Sequence, residues 1–188
     1  GLGFVLYTVA YGFIGTSAIA AANIANTVQN LFMVLCMGIA SAALVMVGNQ
    51  IGMGEPDTAR RYSRKFTVLS VAIGILLGAA LFACAPFVLT FFEISDEAAG
   101  AAITILRIFG VILTARMINT LAIIGIFRGG GDASYALRLE AGTMWLIGVP
   151  LAVIGACVLR LPVEQVVLLV SVEEITKCGL VLWRLKSG

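Results

Sequence analysis

Long apolar runs, separated by short groups of glycine, proline and charged residues, dominate the pattern along the chain. The first charged residue is Glu55, and a helix made of everything before it would be about 80 Å long, more than two bilayer cores. The pattern predicts five complete transmembrane helices, at about 18–52, 66–92, 98–127, 133–159 and 163–183. Residues 1–15 would reach only about 21 Å and are expected to belong to a helix whose start is missing.

Turn-forming residues mark the predicted breaks. Gly52–Asp57 ends the first complete run, and Arg128–Asp132 ends the third. Pro86 and Pro150 lie inside predicted spans, where proline kinks or ends a helix. Residues 1–188 are therefore expected to form an all-α integral membrane protein, a six-helix unit with a truncated first helix.

Lysine and arginine predict the orientation of these helices. Arg60, Arg61, Arg64 and Lys65 follow the first complete run, so this connection is expected to be a cytoplasmic loop. The next connection, 93–97, has acidic residues and no base, which predicts the outer side. Alternation then places both ends of the unit in the cytoplasm, in a multi-pass protein of the inner (plasma) membrane.

Composition narrows the function classes. Of the 188 residues, 61% are hydrophobic and 12% charged, against roughly 25% charged in soluble domains. The chain has no histidine and its four cysteines form no CxxC pair, so a metal site and a cofactor are not expected. A net charge of +2 does not suggest a nucleic-acid partner.

One string resembles an enzyme motif: Gly129–Asp132 matches the GxGD string of intramembrane aspartyl proteases. That chemistry needs a second aspartate in the membrane, but the other aspartates, Asp57 and Asp96, lie in predicted loops, so no enzyme is expected.

Charged residues inside the predicted spans are the first candidates for function, because such groups are costly in hydrocarbon. At about 1.5 Å per residue from the inner ends, Arg116 and Glu173 lie about 16–18 Å deep, Glu140 about 12 Å and Lys177 about 10 Å. With Glu174, they form one predicted band of three carboxylates and two bases. A surplus acid in such a band could stay protonated or exchange its proton for a cation.

Three interpretations of this band remain open: a structural ion network, a proton or cation path, and contacts with lipid headgroups. Glu173 or Glu174 can pair with Lys177 along one helix, which requires no function. Glu140 is the favoured single candidate for coupling, because no lysine or arginine lies three or four positions from it.

Uncharged polar residues give candidates for a substrate cleft. Asn23, Asn26 and Asn30 recur at helical spacing with Thr27 beside them, and Asn119 lies three residues after Arg116. Such amides either join helices or line a cavity that holds a ligand. Tyr7 and Tyr11 lie one turn apart and could face an organic cation, although the pattern favours packing or interfacial roles.

The order of motifs resembles the second half of the multidrug and toxic compound extrusion (MATE) family. Five stretches carry the resemblance: Gly15–Ala21 with Ile24, Val47–Gly54 with Ala59-Arg60, Phe127–Asp132, Trp145 with Val149–Leu151, and Glu173–Lys177 with Trp183-Arg184. The resemblance implies helices seven to twelve, the C-terminal lobe of a two-lobe transporter. Family members export organic cations and other drugs in exchange for Na⁺ or H⁺, by alternating access to a central cleft.

The same resemblance implies the partners of the chain. These are membrane lipids, an N-terminal six-helix lobe and small amphipathic or cationic substrates, with H⁺ or Na⁺ as the coupling ion and no nucleic acid. In some sodium-coupled branches an acid of helix ten holds the cation, and Met117 occupies that position here. The corresponding acid of helix seven would fall before Gly1.

Two other functions stay open from the sequence. A flippase of lipid-linked oligosaccharides from the same superfamily would need basic residues in its cleft, and Arg107 and Arg116 are available. A non-transporting membrane assembly subunit would use the charged band only to join helices.

Overall fold

The chain forms an all-helical bundle, and the computed structural model describes residues 9, 11–13, 15–90 and 96–187 of it. From Thr16 onward, the described residues form six α-helices in order: α1 (Thr16–Gly52), α2 (Pro56–Leu89), α3 (Asp96–Thr120), α4 (Ala133–Thr143), α5 (Val149–Val153) and α6 (Val163–Ser187). Three π-helical segments extend or join them: Leu121–Phe127 after α3, Met144–Gly148 between α4 and α5, and Ile154–Val158 after α5. The predicted all-α membrane fold is confirmed.

Four of these helical stretches are long and apolar enough to cross a bilayer. They are Ala18–Gly52, Pro56–Phe87, Ala98–Phe127 and Ala133–Val158, which correspond to the first four of the five complete spans predicted. The fifth predicted span, 163–183, is a helix of sufficient length but is not among the four. Its middle carries Glu173, Glu174 and Lys177, which lower its hydropathy. The predicted partial helix, 1–15, lies mostly outside the described residues.

Helix α2 begins ten residues before the predicted span 66–92. The basic residues that were expected in a cytoplasmic loop therefore belong to the helix. Pro56 opens the helix, so Arg60, Arg61, Arg64 and Lys65 lie on its first turns. Hydropathy marks where a chain enters hydrocarbon, whereas helical hydrogen bonding continues into the polar interface. Proline suits the first helical position because its missing N–H has no partner to lose there.

Proline also shapes the stretch 133–158, which was predicted as one span, 133–159, with Pro150 inside it. Pro150 has no N–H and its ring crowds the carbonyl group of Leu146 four residues earlier. The π turn at Met144–Gly148 widens the helix immediately before Pro150. The stretch therefore remains continuous, with π turns on both sides of α5. Near the end of α2, in contrast, Pro86 is followed by three further helical residues.

Glycines allow the closest helix contact, between α2 and α3. A Cβ atom at Gly78 would overlap the carbonyl oxygen of Gly110, and one at Gly74 would lie 2.8 Å from the Cα of Thr114. Small residues let helix backbones approach closely in membranes, where packing rather than water drives association. This contact positions α3, which carries Arg116 and Asn119.

Two apolar clusters fill the bundle, one toward each end of α3. The first includes α3 residues from Ala102 to Ile112 together with Val163 and Val167 of α6. The second includes Ile118 to Phe127 together with Val181 of α6. Arg116 on α3 and residues 173–177 on α6 therefore lie in the layer between the two clusters.

Candidate functional site

A charged cluster lies between α3 and α6, made of Arg116, Asn119, Glu173, Glu174 and Lys177. The Nζ atom of Lys177 lies 2.9 Å from Glu173 Oε1 and 3.6 Å from Glu174 Oε1. Arg116 Nε lies 3.5 Å from the same Oε1 atom of Glu174. Lys177 and Glu173 are buried, and the side chains of Arg116 and Glu174 are 23% and 15% exposed. Five of the predicted site residues are thus brought together.

Asn119 joins the two helices within this cluster. Its amide nitrogen donates to the backbone oxygen of Glu174 at 2.9 Å and to Glu174 Oε2 at 2.7 Å. Asn119 is only 3% exposed and joins two helices, which is one of the two roles that the sequence left open for it. Its Oδ1 atom is buried and has no hydrogen-bond partner among the described residues. Met117, at the position where the resemblance would place a cation-binding acid, is buried in the apolar interior.

Glu140 does not belong to the charged cluster, which corrects the predicted band. Its side chain lies on the exposed surface of α4, and it has no ion pair among the residues that the structure describes. The charged cluster therefore holds two acids and two bases, without the predicted surplus acid. Counting residues along a helix estimates depth, but it does not say toward which neighbour a side chain points.

The polar stripe of α1 lies on the surface of the bundle. Asn23, Asn26, Thr27 and Asn30 are all exposed, whereas Ala21, Ala22, Ala25 and Val28 face the first apolar cluster. Thr27 donates to the backbone oxygen of Asn23 at 2.8 Å, but the three amide side chains have no partner among the described residues. Within the part of the chain that the structure describes, these amides therefore do not join helices. Unpaired amides are costly in hydrocarbon, so this face requires a polar neighbour.

Of the two tyrosine candidates for the substrate cleft, only Tyr11 lies among the described residues. Tyr11 is half-buried and packs against the first apolar cluster and against a smaller one around Ala152, Ala156 and Val166. This contact supports the packing interpretation of Tyr11. Tyr7 lies outside the described residues.

A further polar contact, which the sequence analysis missed, ties the turn after α3 to the end of α6. Arg184 donates to Asp132 Oδ2 at 2.9 Å, and its guanidinium lies 5.2 Å from the ring centroid of Tyr135. Phe127 packs edge-to-face against Tyr135. Asp132 and Arg184 each lie in a motif of the family resemblance, which is the only signal in the sequence that could have singled them out.

Comparisons with known proteins agree with this architecture. The sequence profile of the MatE family matches residues 2–154. An uncharacterized transporter of Schizosaccharomyces pombe is 29% identical over 80% of the chain, and a probable multidrug resistance protein NorM of Bradyrhizobium diazoefficiens is 30% identical over 75%. The chain spans 28% and 31% of the lengths of these two relatives.

One solved structure shows the same fold over nearly the whole chain. It is described as the outward-facing conformation of a multidrug resistance MATE family transporter of the MOP superfamily. The TM-score is 0.90 at 17% identity, over 97% of this chain and 40% of that one. The bundle thus has the fold of one lobe of such a transporter. Taken with the match of the family profile to most of its length, this places the chain in the MatE family of multidrug and toxic compound extrusion transporters.

Proposed function

We propose that this bundle is the C-terminal lobe of a secondary active antiporter that exports organic cations or other amphipathic drugs in exchange for H⁺ or Na⁺. The observation that carries the proposal is the exposed polar face of α1, formed by Asn23, Asn26, Thr27 and Asn30. Such a face within a membrane span requires water or a polar ligand beside it. A cleft between this lobe and an N-terminal lobe supplies both.

The amides of this face suit a ligand of mixed polarity. Asparagine offers one acceptor and two donors, so it can orient the polar groups of a substrate without fixing its charge. Apolar surface beside the same face, at Leu31 and Val34, is exposed as well. Pockets that combine apolar walls with a few polar groups bind drug-sized amphipathic compounds.

For coupling, we propose Glu140 as the carboxylate that exchanges a proton or cation. Glu173 and Glu174 also remain candidates, but each faces Lys177, and Glu174 faces Arg116 as well. A carboxylate held in a buried ion pair suits a fixed ion network better than a group that alternates between two states. Glu140 is exposed, and no lysine or arginine among the described residues forms an ion pair with it.

The test is efflux of a fluorescent organic cation from liposomes that contain the full-length protein. A pH gradient and a sodium gradient are imposed in turn on wild type, Glu140→Gln, Glu174→Gln and a control, Glu55→Gln. Glu55 is an exposed acid outside the spans, which makes it a matched carboxylate. We expect efflux under one gradient, and at least a tenfold loss in Glu140→Gln with little change in the control. Elution as a single folded species shows that the loss is not one of folding.

The results also separate the alternatives. Full efflux in Glu140→Gln and Glu174→Gln would move coupling out of this lobe. Absence of efflux under both gradients, with folded protein, would reject drug export. The flippase gains no support from the structure, because Arg116 is paired with Glu174 and Arg107 lies over the ring of Phe82.

A further inference from the structure

A shallow, open depression along the surface of α2 combines basic and apolar residues. It has a volume of about 510 Å³ and is lined by Arg61, Arg64, Lys65, Val68, Leu69 and Ala72. These positions follow helical spacing, so they form one face of α2 with the bases nearer its start. We call this face the basic–apolar groove.

The three bases of the groove have no acidic partner among the residues that the structure describes. Asp57 lies one turn before Arg61, yet no ion pair joins them. Arg61, Arg64 and Lys65 are all exposed. Three unpaired positive charges within two helical turns attract an anion at the surface.

The apolar part of the groove continues along α2 as exposed, uncharged surface, which suits contact with hydrocarbon. Val68 is 63% exposed and Leu76 is 69% exposed, and no charged residue follows Lys65 in α2. This face contrasts with the polar exposed face of α1. The uncharged stretch 66–89 would be about 36 Å long, slightly more than a bilayer core of about 30 Å. Arg61, Arg64 and Lys65 therefore lie at the level of the lipid headgroups.

We propose that the basic–apolar groove binds an anionic glycerophospholipid, with the headgroup phosphate among the three bases and an acyl chain along Val68, Leu69 and Ala72. Charge complementarity selects the lipid class. A zwitterionic headgroup carries an ammonium group, which offsets the attraction between its phosphate and the three bases. An anionic headgroup keeps its net negative charge and gains from each lysine or arginine nearby.

The experiment is native mass spectrometry of the full-length protein in detergent, titrated with dioleoyl phosphatidylglycerol or dioleoyl phosphatidylcholine. We expect at least tenfold tighter binding of phosphatidylglycerol by wild type. The variant Arg61→Gln/Arg64→Gln/Lys65→Gln loses this preference. The control Arg128→Gln/Arg138→Gln/Lys186→Gln removes three exposed bases from the same end of the bundle and keeps the preference within twofold.

Two further arms make the result specific. Glycerol 3-phosphate has the phosphate without acyl chains, and we expect no binding at the concentrations that saturate the lipid. The conservative variant Arg61→Lys/Arg64→Lys keeps the charges and restores the preference, which shows that the glutamine variant failed by loss of charge. Equal loss in the control, unchanged binding in the glutamine variant, or equal affinity for both lipids would overturn the proposal.

Discussion

Lys177 is a buried lysine whose charge is balanced by two glutamates of its own helix. Its Nζ atom lies within 4 Å of both Glu173 and Glu174. Removing one partner of a buried pair leaves an uncompensated charge, which costs more than the pair itself contributes. The stability of the bundle is thus expected to depend on the balance of this cluster.

Lys177→Met should lower the free energy of unfolding by about 3–5 kcal/mol, because Glu173 loses its lysine in a buried position. Adding Glu173→Gln should recover part of that loss, since the remaining charges are again balanced. Unfolding of the full-length protein in detergent measures both variants. Lys186→Met, an exposed lysine near the end of α6, serves as the control and should change little. Strictly additive effects of the two substitutions would show that they do not interact.

At the level of elements, the contact between α2 and α3 depends on glycine at the point of closest approach. Gly78 and Gly110 bring the two backbones so close that neither tolerates a Cβ atom without displacement. The contact sets the position of α3, and hence the height of Arg116 and Asn119 against α6. Packing remote from the charged cluster therefore supports its geometry.

Gly78→Ala should destabilise the full-length protein by about 1–3 kcal/mol through overpacking against the backbone of Gly110. Gly38 gives the matched control, since it lies inside α1 and a Cβ atom there meets nothing within 4 Å. Gly38→Ala should be neutral or stabilise by up to about 1 kcal/mol, because alanine favours the helix. Thermal unfolding in detergent compares the two variants. An equal change in thermal stability for both variants would contradict overpacking at the α2–α3 contact.

At the scale of the whole molecule, the bundle exposes two faces of different polarity, one polar and one apolar. The stripe of amides on α1 requires a polar neighbour, and the apolar face of α2 suits lipid. The proposed cleft and the proposed lipid groove thus belong to different faces of one bundle. Only the arrangement of the helices distinguishes these two surfaces.

Cysteine labelling tests this difference in environment. In a full-length protein without Cys36, Cys84, Cys157 and Cys178, we expect Asn26→Cys to react with a water-soluble maleimide at least tenfold faster than Leu76→Cys. The reason is that thiols react as thiolates, which form in water and not in hydrocarbon. Elution of each variant as a single species in size-exclusion chromatography establishes that both are folded. Equal rates would contradict the assignment of the α1 face to an aqueous cleft.

The sequence by itself determined the membrane class, the all-α fold, the family and the ends of most helices to within a few residues. These properties follow from local quantities: hydropathy over 20 residues, turn-forming glycine and proline, and motif order. The close pairing of Glu173 and Glu174 with Lys177 was also predictable, because spacings of three and four positions share one helix face. The start of α2 was wrong by ten residues, since hydropathy does not report where helical hydrogen bonding begins.

Only the tertiary structure decided which distant residues meet. It brought Arg116 and Asn119 to Glu174, joined Asp132 to Arg184 across 52 positions, and left Glu140 on the surface. It also turned the amides of α1 outward and Asn119 inward, although the sequence shows all of them as polar residues in apolar spans. The physical reason is that hydropathy and spacing describe one helix at a time. The direction in which each helix faces its neighbours is set by packing, including glycine contacts such as that between Gly78 and Gly110.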